Sequence, residues 1–147
     1  MKIQNLNIPE SKVLQFDTVK AYFNDLTNVL KVSDNGEIDF TIIKNIIDKA
    51  SVKPNIYGIL VKDKSSKIWE LKYIGQRKSK DIKARLRQHL IKKDYRTGAQ
   101  LDKVTKCLND NMDIGIKLFA IEPDELRQYY EEKLLKSITN LSWNKQS

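Results

Sequence analysis

The stretch NIYGILVKDKSSKIWELKYIG, residues 55–75, decides how this chain is read. Two apolar segments, Asn55 to Val61 and Ile68 to Gly75, flank the polar KDKSSK, which is the layout of a β-hairpin. Each segment carries a tyrosine beside an isoleucine and close to a glycine: Tyr57 follows Ile56, and Tyr73 precedes Ile74. With the loop centred on Ser65, Tyr57 falls opposite Tyr73, each eight residues from the centre. Directly paired residues share a sheet face with Cβ atoms roughly 5 Å apart. A slip of one residue would send the two phenols to opposite faces. Register therefore separates two packing residues from two halves of one site.

Working outward, DTVKAYFNDLTNVLKV places Val19, Tyr22, Phe23, Leu26, Val29 and Leu30 at helical spacing behind Asp17 as a cap. SDNGE then makes a turn. Phe40, Ile43, Ile46, Ile47 and Ala50 suggest a second helix, although Ile38, Phe40 and Ile42 also alternate as a strand would. Lys53-Pro54 marks a boundary, because the residue before proline avoids the helical region. Beyond the hairpin, Ile82, Leu86 and Leu90 form a helical stripe with Ser79 as its cap, and Leu101, Val104, Cys107 and Leu108 form another. DIGIKLFAI alternates as a third strand, and Pro123 opens a final helix with Leu126, Tyr130, Leu134 and Ile138. The expected architecture is α+β: a small three-stranded antiparallel sheet flanked by helices, residues 54–147, preceded by a mainly helical N-terminal extension, residues 1–53.

A length of 147 residues suits one core. One cysteine, Cys107, excludes an internal disulfide and a multi-cysteine zinc site, and a reducing, cytoplasmic setting is the expectation. No apolar run has the length of a membrane span, so no membrane partner is expected. The net charge of +8 favours a polyanion. Its distribution says more. Residues 1–61 hold seven basic and seven acidic side chains, residues 107–147 hold five and seven, and residues 62–106 hold fifteen and five. The whole excess lies across the second tyrosine and the helix after it.

In this setting the sequence resembles the GIY-YIG endonucleases. NIY and YIG stand in order on the hairpin, IKARLRQHL follows on a helix, and EEKLLKSITNLSWN closes the chain in the manner of the phage endonuclease II branch. The resemblance covers about Pro54 to Asn144 and implies the ββααβα fold of that family. It implies catalytic roles for Tyr57, Tyr73, Arg85, His89, Glu131 and Asn144, with Glu131 fitting the pattern better than Glu132. Asn55 stands where the family's first glycine would be, and the hairpin loop is longer than in compact members.

The chemistry implied is hydrolysis of a DNA phosphodiester, which needs an activated water, a neutralised phosphate and a stabilised leaving oxygen. Glu131 would anchor a magnesium or manganese ion, which keeps most of its waters and needs only one or two carboxylates. Tyr57 would be the general base, supported by Tyr73. A phenol with a pKa of about 10 needs cationic neighbours to serve near neutrality, and the basic segment is their expected source. Arg85 would hold the phosphate through paired donors, His89 would donate to phosphate or orient a tyrosine, and Asn144 would tie the C-terminal segment to the site. Lys72, Arg77, Lys78, Lys80, Lys83, Arg87, Lys92, Lys93 and Arg96 would contact DNA phosphates.

Singly, each residue has a plainer reading: tyrosine suits a half-buried strand, and arginine suits a solvated helix face. Two rivals stand beside the duplex endonuclease: a nuclease for branched or single-stranded DNA, and a binding module without activity. Cutting both strands with one site per chain favours a homodimer or higher oligomer.

Overall fold

The computed structural model describes residues 4–7, 12–92 and 99–144, with the backbone path alone for 4–7 and 12–15. In chain order the elements are β1 (Gln4–Asn7), α1 (Lys12–Asn24), β2 (Leu30–Lys31), β3 (Ser33–Asp34), β4 (Glu37–Ile38), α2 (Phe40–Lys49), β5 (Ile56–Asp63) and β6 (Glu70–Gln76). They continue with α3 (Ile82–Leu90), α4 (Leu101–Asn109), β7 (Met112–Glu122) and α5 (Arg127–Ser137). Short 3-10 turns, Ser79–Asp81 and Asp124–Leu126, lead into α3 and α5.

The fold is α+β. Ile56 to Val61 and Asp113 to Ile121 are buried without interruption, the pattern of strands covered on both faces. Tyr57, Ile59 and Val61 of β5 and Ile114, Ile116 and Leu118 of β7 meet one cluster with Ile43 and Ile47 of α2, Ile82, Leu86 and Leu90 of α3, and Val104 of α4. Ile56, Ile74, Phe119 and Ile121 meet the other, with Phe16, Val19, Tyr22 and Phe23 of α1 and Tyr130 and Leu134 of α5. On this second face Lys117 is fully buried; its ammonium donates to the carbonyls of Asp25 and Asn28 and lies 4.4 Å from the Tyr22 ring centre. It fastens the turn after α1 to the sheet.

The sheet is wider than the three strands expected. Antiparallel β6, β5 and β7 run from one edge, β6, inward, and among the described residues β1 adds parallel to β7 and β2 adds antiparallel to it. The segment expected as an N-terminal extension thus supplies two strands to the sheet and one helix to each core, alongside the β3–β4 hairpin turned by Asn35 and Gly36 at positive φ.

Two boundaries move. Asp17 lies inside α1, which starts at Lys12 and stops at Asn24. Asp25 accepts from the Thr27 amide and hydroxyl, so a local turn ends the helix before Val29 and Leu30. Ser79 lies in the turn before α3, not at its cap, which is Asp81. The ambiguous stretch near residue 40 is helical, with Asp39 capping through the Thr41 amide at 3.1 Å and Lys53 donating to the carbonyls of Ile47, Asp48 and Ala50 at the far end.

Candidate active site

Tyr57 does not pair with Tyr73. It pairs with Gly75, and Tyr73 pairs with Ile59, with an irregularity between Ile59 and Leu60 shifting the remainder of the ladder. The expected register is off by two residues. Because side chains alternate with period two, this shift leaves both tyrosines on one face, now as diagonal neighbours. Their ring centres are 6.1 Å apart. Gly75 creates the space: a Cβ there would stand 2.5 Å from the Tyr57 hydroxyl and 2.6 Å from Cζ.

Helix α3 completes the cluster. Its stripe Ile82, Leu86 and Leu90 anchors it to the core, and Arg85 and His89, four residues apart, share the inward face and are buried too. His89 Nε2 lies 2.7 Å from Tyr57 Oη, and its ring centre is 5.4 Å from that of Tyr57 and 5.1 Å from that of Tyr73. On its other side, His89 Nδ1 accepts the backbone amide of Gln100 at 2.9 Å. Arg85 donates through Nη1 to Gln88 Oε1 at 2.8 Å, and its positive charge acts on the Tyr57 phenol. The guanidinium expected to clamp phosphate therefore also acts electrostatically on the candidate base.

Electrostatics follows from burial. Desolvation raises the Tyr57 phenol above its ordinary value, with Tyr73 adding to the rise, and Arg85 and Arg77 only partly oppose it. The expected cationic neighbours are present, yet burial outweighs them, so Tyr57 holds its proton at neutral pH. Burial, then Arg85 and Arg77, push His89 down to about 3, so it is neutral. Burial, then Glu132, lift Glu131 to about 7, against the pull of Arg77. Arg77 thus acts on Tyr57, His89 and Glu131 alike; the sequence placed it only among phosphate contacts. Glu131 is half-buried and Glu132 exposed.

Two asparagines bolt the strands. Asn144 accepts from the Ile74 amide and donates to the Ile74 carbonyl, both at 2.9 Å, while the Trp143 amide donates to Lys72 O at 3.0 Å. Tyr73 sits between these two anchors. Asn55 makes the same two-point contact with Ile121, at 2.8 and 2.9 Å, and also donates to Asp124 Oδ1 at 2.9 Å. Asp124 in turn accepts from Arg127, whose Nε donates to Gln76 Oε1 at 2.8 Å. Gln76, Arg77, Lys78, Asp81, Arg127 and Gln128 line an open cavity of about 310 Å³, which shares Arg77 with the tyrosine cluster. Arg127 and the Gln100 amide escaped the sequence reading: one lies outside the basic stretch of residues 62–106, and the other is a backbone group.

Of the expected phosphate contacts, Arg77, Lys78, Lys80 and Lys92 are exposed. Lys72 pairs with Glu70, Lys83 pairs with Asp48, and Arg87 lies 5.5 Å from the Phe40 ring centre. Lys93 and Arg96 lie outside the described residues.

Among the described residues no three His, Cys, Asp or Glu side chains gather as a metal cage, and no helix is long and apolar enough to cross a membrane. Glu131 is a half-buried carboxylate whose charge is not matched by an ion pair among the described residues. One such oxygen donor suits a hard cation that keeps its waters and takes phosphate oxygens, and does not suit zinc, which wants several nitrogen or sulfur ligands. No family model, curated protein or solved structure matches this chain.

Proposed function

We propose that this chain is a metal-dependent DNA endonuclease of the GIY-YIG kind, cutting duplex DNA in a restriction or host-DNA degradation role. The observation that carries this is the buried Tyr57–His89 contact at 2.7 Å, flanked by Arg85 and Tyr73 and coupled through Arg77 to the carboxylate of Glu131. The order β5-β6-α3-α4-β7-α5 supports it as the ββααβα unit, with β1 and β2 as additions.

In the reaction, water loses a proton to the Tyr57 oxygen as its own oxygen bonds to phosphorus, and the bond from phosphorus to the leaving sugar oxygen breaks. Tyr57 enters as phenolate. A magnesium or manganese ion held by Glu131 would supply the positive charge that favours phenolate and leaving oxygen. Arg85 and Arg77 hold the phosphate, Tyr73 supports Tyr57, and Asn144 positions Tyr73 by fixing Ile74. The exposed Lys78, Lys80 and Lys92 hold flanking phosphates, which makes binding salt-sensitive.

Incubating the purified protein with plasmid DNA and magnesium, then sequencing the ends, tests this. Glu131→Gln should keep DNA binding and lose cleavage. Full activity in that variant or in EDTA overturns the assignment; binding without cleavage by the wild type under either metal leaves the binding module.

A further inference from the structure

His89 is fully buried with both ring nitrogens engaged, Nδ1 by the Gln100 amide at 2.9 Å and Nε2 by Tyr57 Oη at 2.7 Å. A backbone N–H can only donate, so Nδ1 must present its lone pair, and a neutral imidazole then carries its one proton on Nε2. We propose that the Gln100 amide, at the start of α4, is a positioning group that locks His89 as the Nε2–H tautomer and makes it a hydrogen-bond donor to Tyr57.

The surroundings keep the ring neutral. The charges acting on it are Arg85, one turn earlier on α3, and Arg77, and both add to the effect of burial. Tyr73 packs against its ring at 5.1 Å between centres. The Tyr57 oxygen consequently receives His89 Nε2–H, with the charge of Arg85 acting on the same phenol, and its own proton is turned away from His89. When that proton leaves, the imidazole N–H remains on the phenolate and the Arg85 charge still favours it. His89 cannot relay a proton, because the nitrogen facing Tyr57 is already protonated and the other is occupied. The catalytic meaning rests on the nuclease proposal; the tautomer does not.

The chain has one histidine, so its ring signals are unambiguous. Full-length protein labelled with nitrogen-15 at histidine, without DNA or metal, should show protonated Nε2 and unprotonated Nδ1, unchanged down to about pH 5. The Nδ1–H tautomer, a mixture, or imidazolium at neutral pH overturns the proposal. Gln100→Ala keeps the amide and should keep the spectrum. Gln100→Pro deletes the amide and, in the folded variant, should give a tautomer mixture; a spectrum identical to wild type means that another group sets the tautomer. The wild-type spectrum decides alone if the proline variant does not fold. In cleavage, His89→Gln, which still offers an N–H, should retain the pH–rate profile of the wild type better than His89→Leu. Absent cleavage with the Nε2–H tautomer sinks the nuclease proposal only; an active enzyme with the other tautomer sinks this one only.

Discussion

The Tyr57 phenol occupies the volume that a side chain on Gly75 would need: the two residues are paired across the ladder, and a Cβ at 75 would come within 2.5 Å of the hydroxyl. The ring is rigid and its oxygen is held at 2.7 Å from His89, so it cannot yield cheaply. Gly75→Ala is expected to cost about 1–3 kcal/mol in stability through overpacking. Cleavage should fall on the order of 100-fold, because the displaced oxygen is the candidate base. Denaturant unfolding and plasmid cleavage measured side by side check both. Wild-type rates in a folded Gly75→Ala protein would remove Tyr57 from the chemistry.

Glu131 should carry a stability cost that depends on pH. Its folded pKa of about 7 lies above the ordinary carboxylate range, so the protonated form is favoured in the native state. Native stability from this group is full below about pH 4 and is lost as pH rises through 7. Glu131→Gln should therefore match wild type near pH 4 and exceed it near pH 8 by about 1 kcal/mol, once solvent screening of a half-exposed group is allowed for. Metal binding to Glu131 should weaken below neutrality, since the ion must displace a proton. Thermal melts at the two pH values, with and without magnesium, measure this.

His89 titrates in the opposite sense. Its folded pKa of about 3 is below the unfolded value of about 6.5, so the unfolded chain binds a proton that the native state refuses. Stability is intact above 6.5 and drains as pH falls from there toward 3, by on the order of 3 kcal/mol. His89→Gln should flatten the acid limb between about pH 6 and 4. An unchanged limb in that variant would mean that His89 charges normally.

Asn55 and Asn144 make matching bonds with different consequences. Asn55→Ala abandons two backbone groups of buried Ile121 and should cost about 3 kcal/mol with little change in the rate of what remains folded. Asn144→Ala loosens Ile74 at the sheet edge, costing about 1–2 kcal/mol, and should lower kcat because Tyr73 is the next residue. Urea melts with kinetics on both variants separate the two.

Much of this layout was legible in the residues. The alternation of β7, the stripe of α3 and the two apolar arms of the hairpin were read from period alone, and the same-face placement of the tyrosines survived because a two-residue shift preserves parity. The exact pairing was not readable, since the ladder shifts register between Ile59 and Leu60 and no residue of the hairpin marks that point. The end of α1 was missed because Val29 and Leu30 continue its helical spacing while a side chain four residues earlier, Asp25, terminates it. Asn55 looked like a misplaced glycine. Its partner lies 66 residues away on another strand, beyond any local pattern. The Gln100 amide leaves no trace in a sequence at all, because every residue but proline has one.

Helix α2 leans on α3 through the Lys83–Asp48 ion pair and the Arg87–Phe40 contact, and Val32, Ile43 and Ile47 belong to the same buried cluster as Tyr57. The motif-bearing part is therefore no portable cassette. Cut free at Pro54, its helix with Arg85 and His89 would stand with a bare greasy flank and without the buttress of α2.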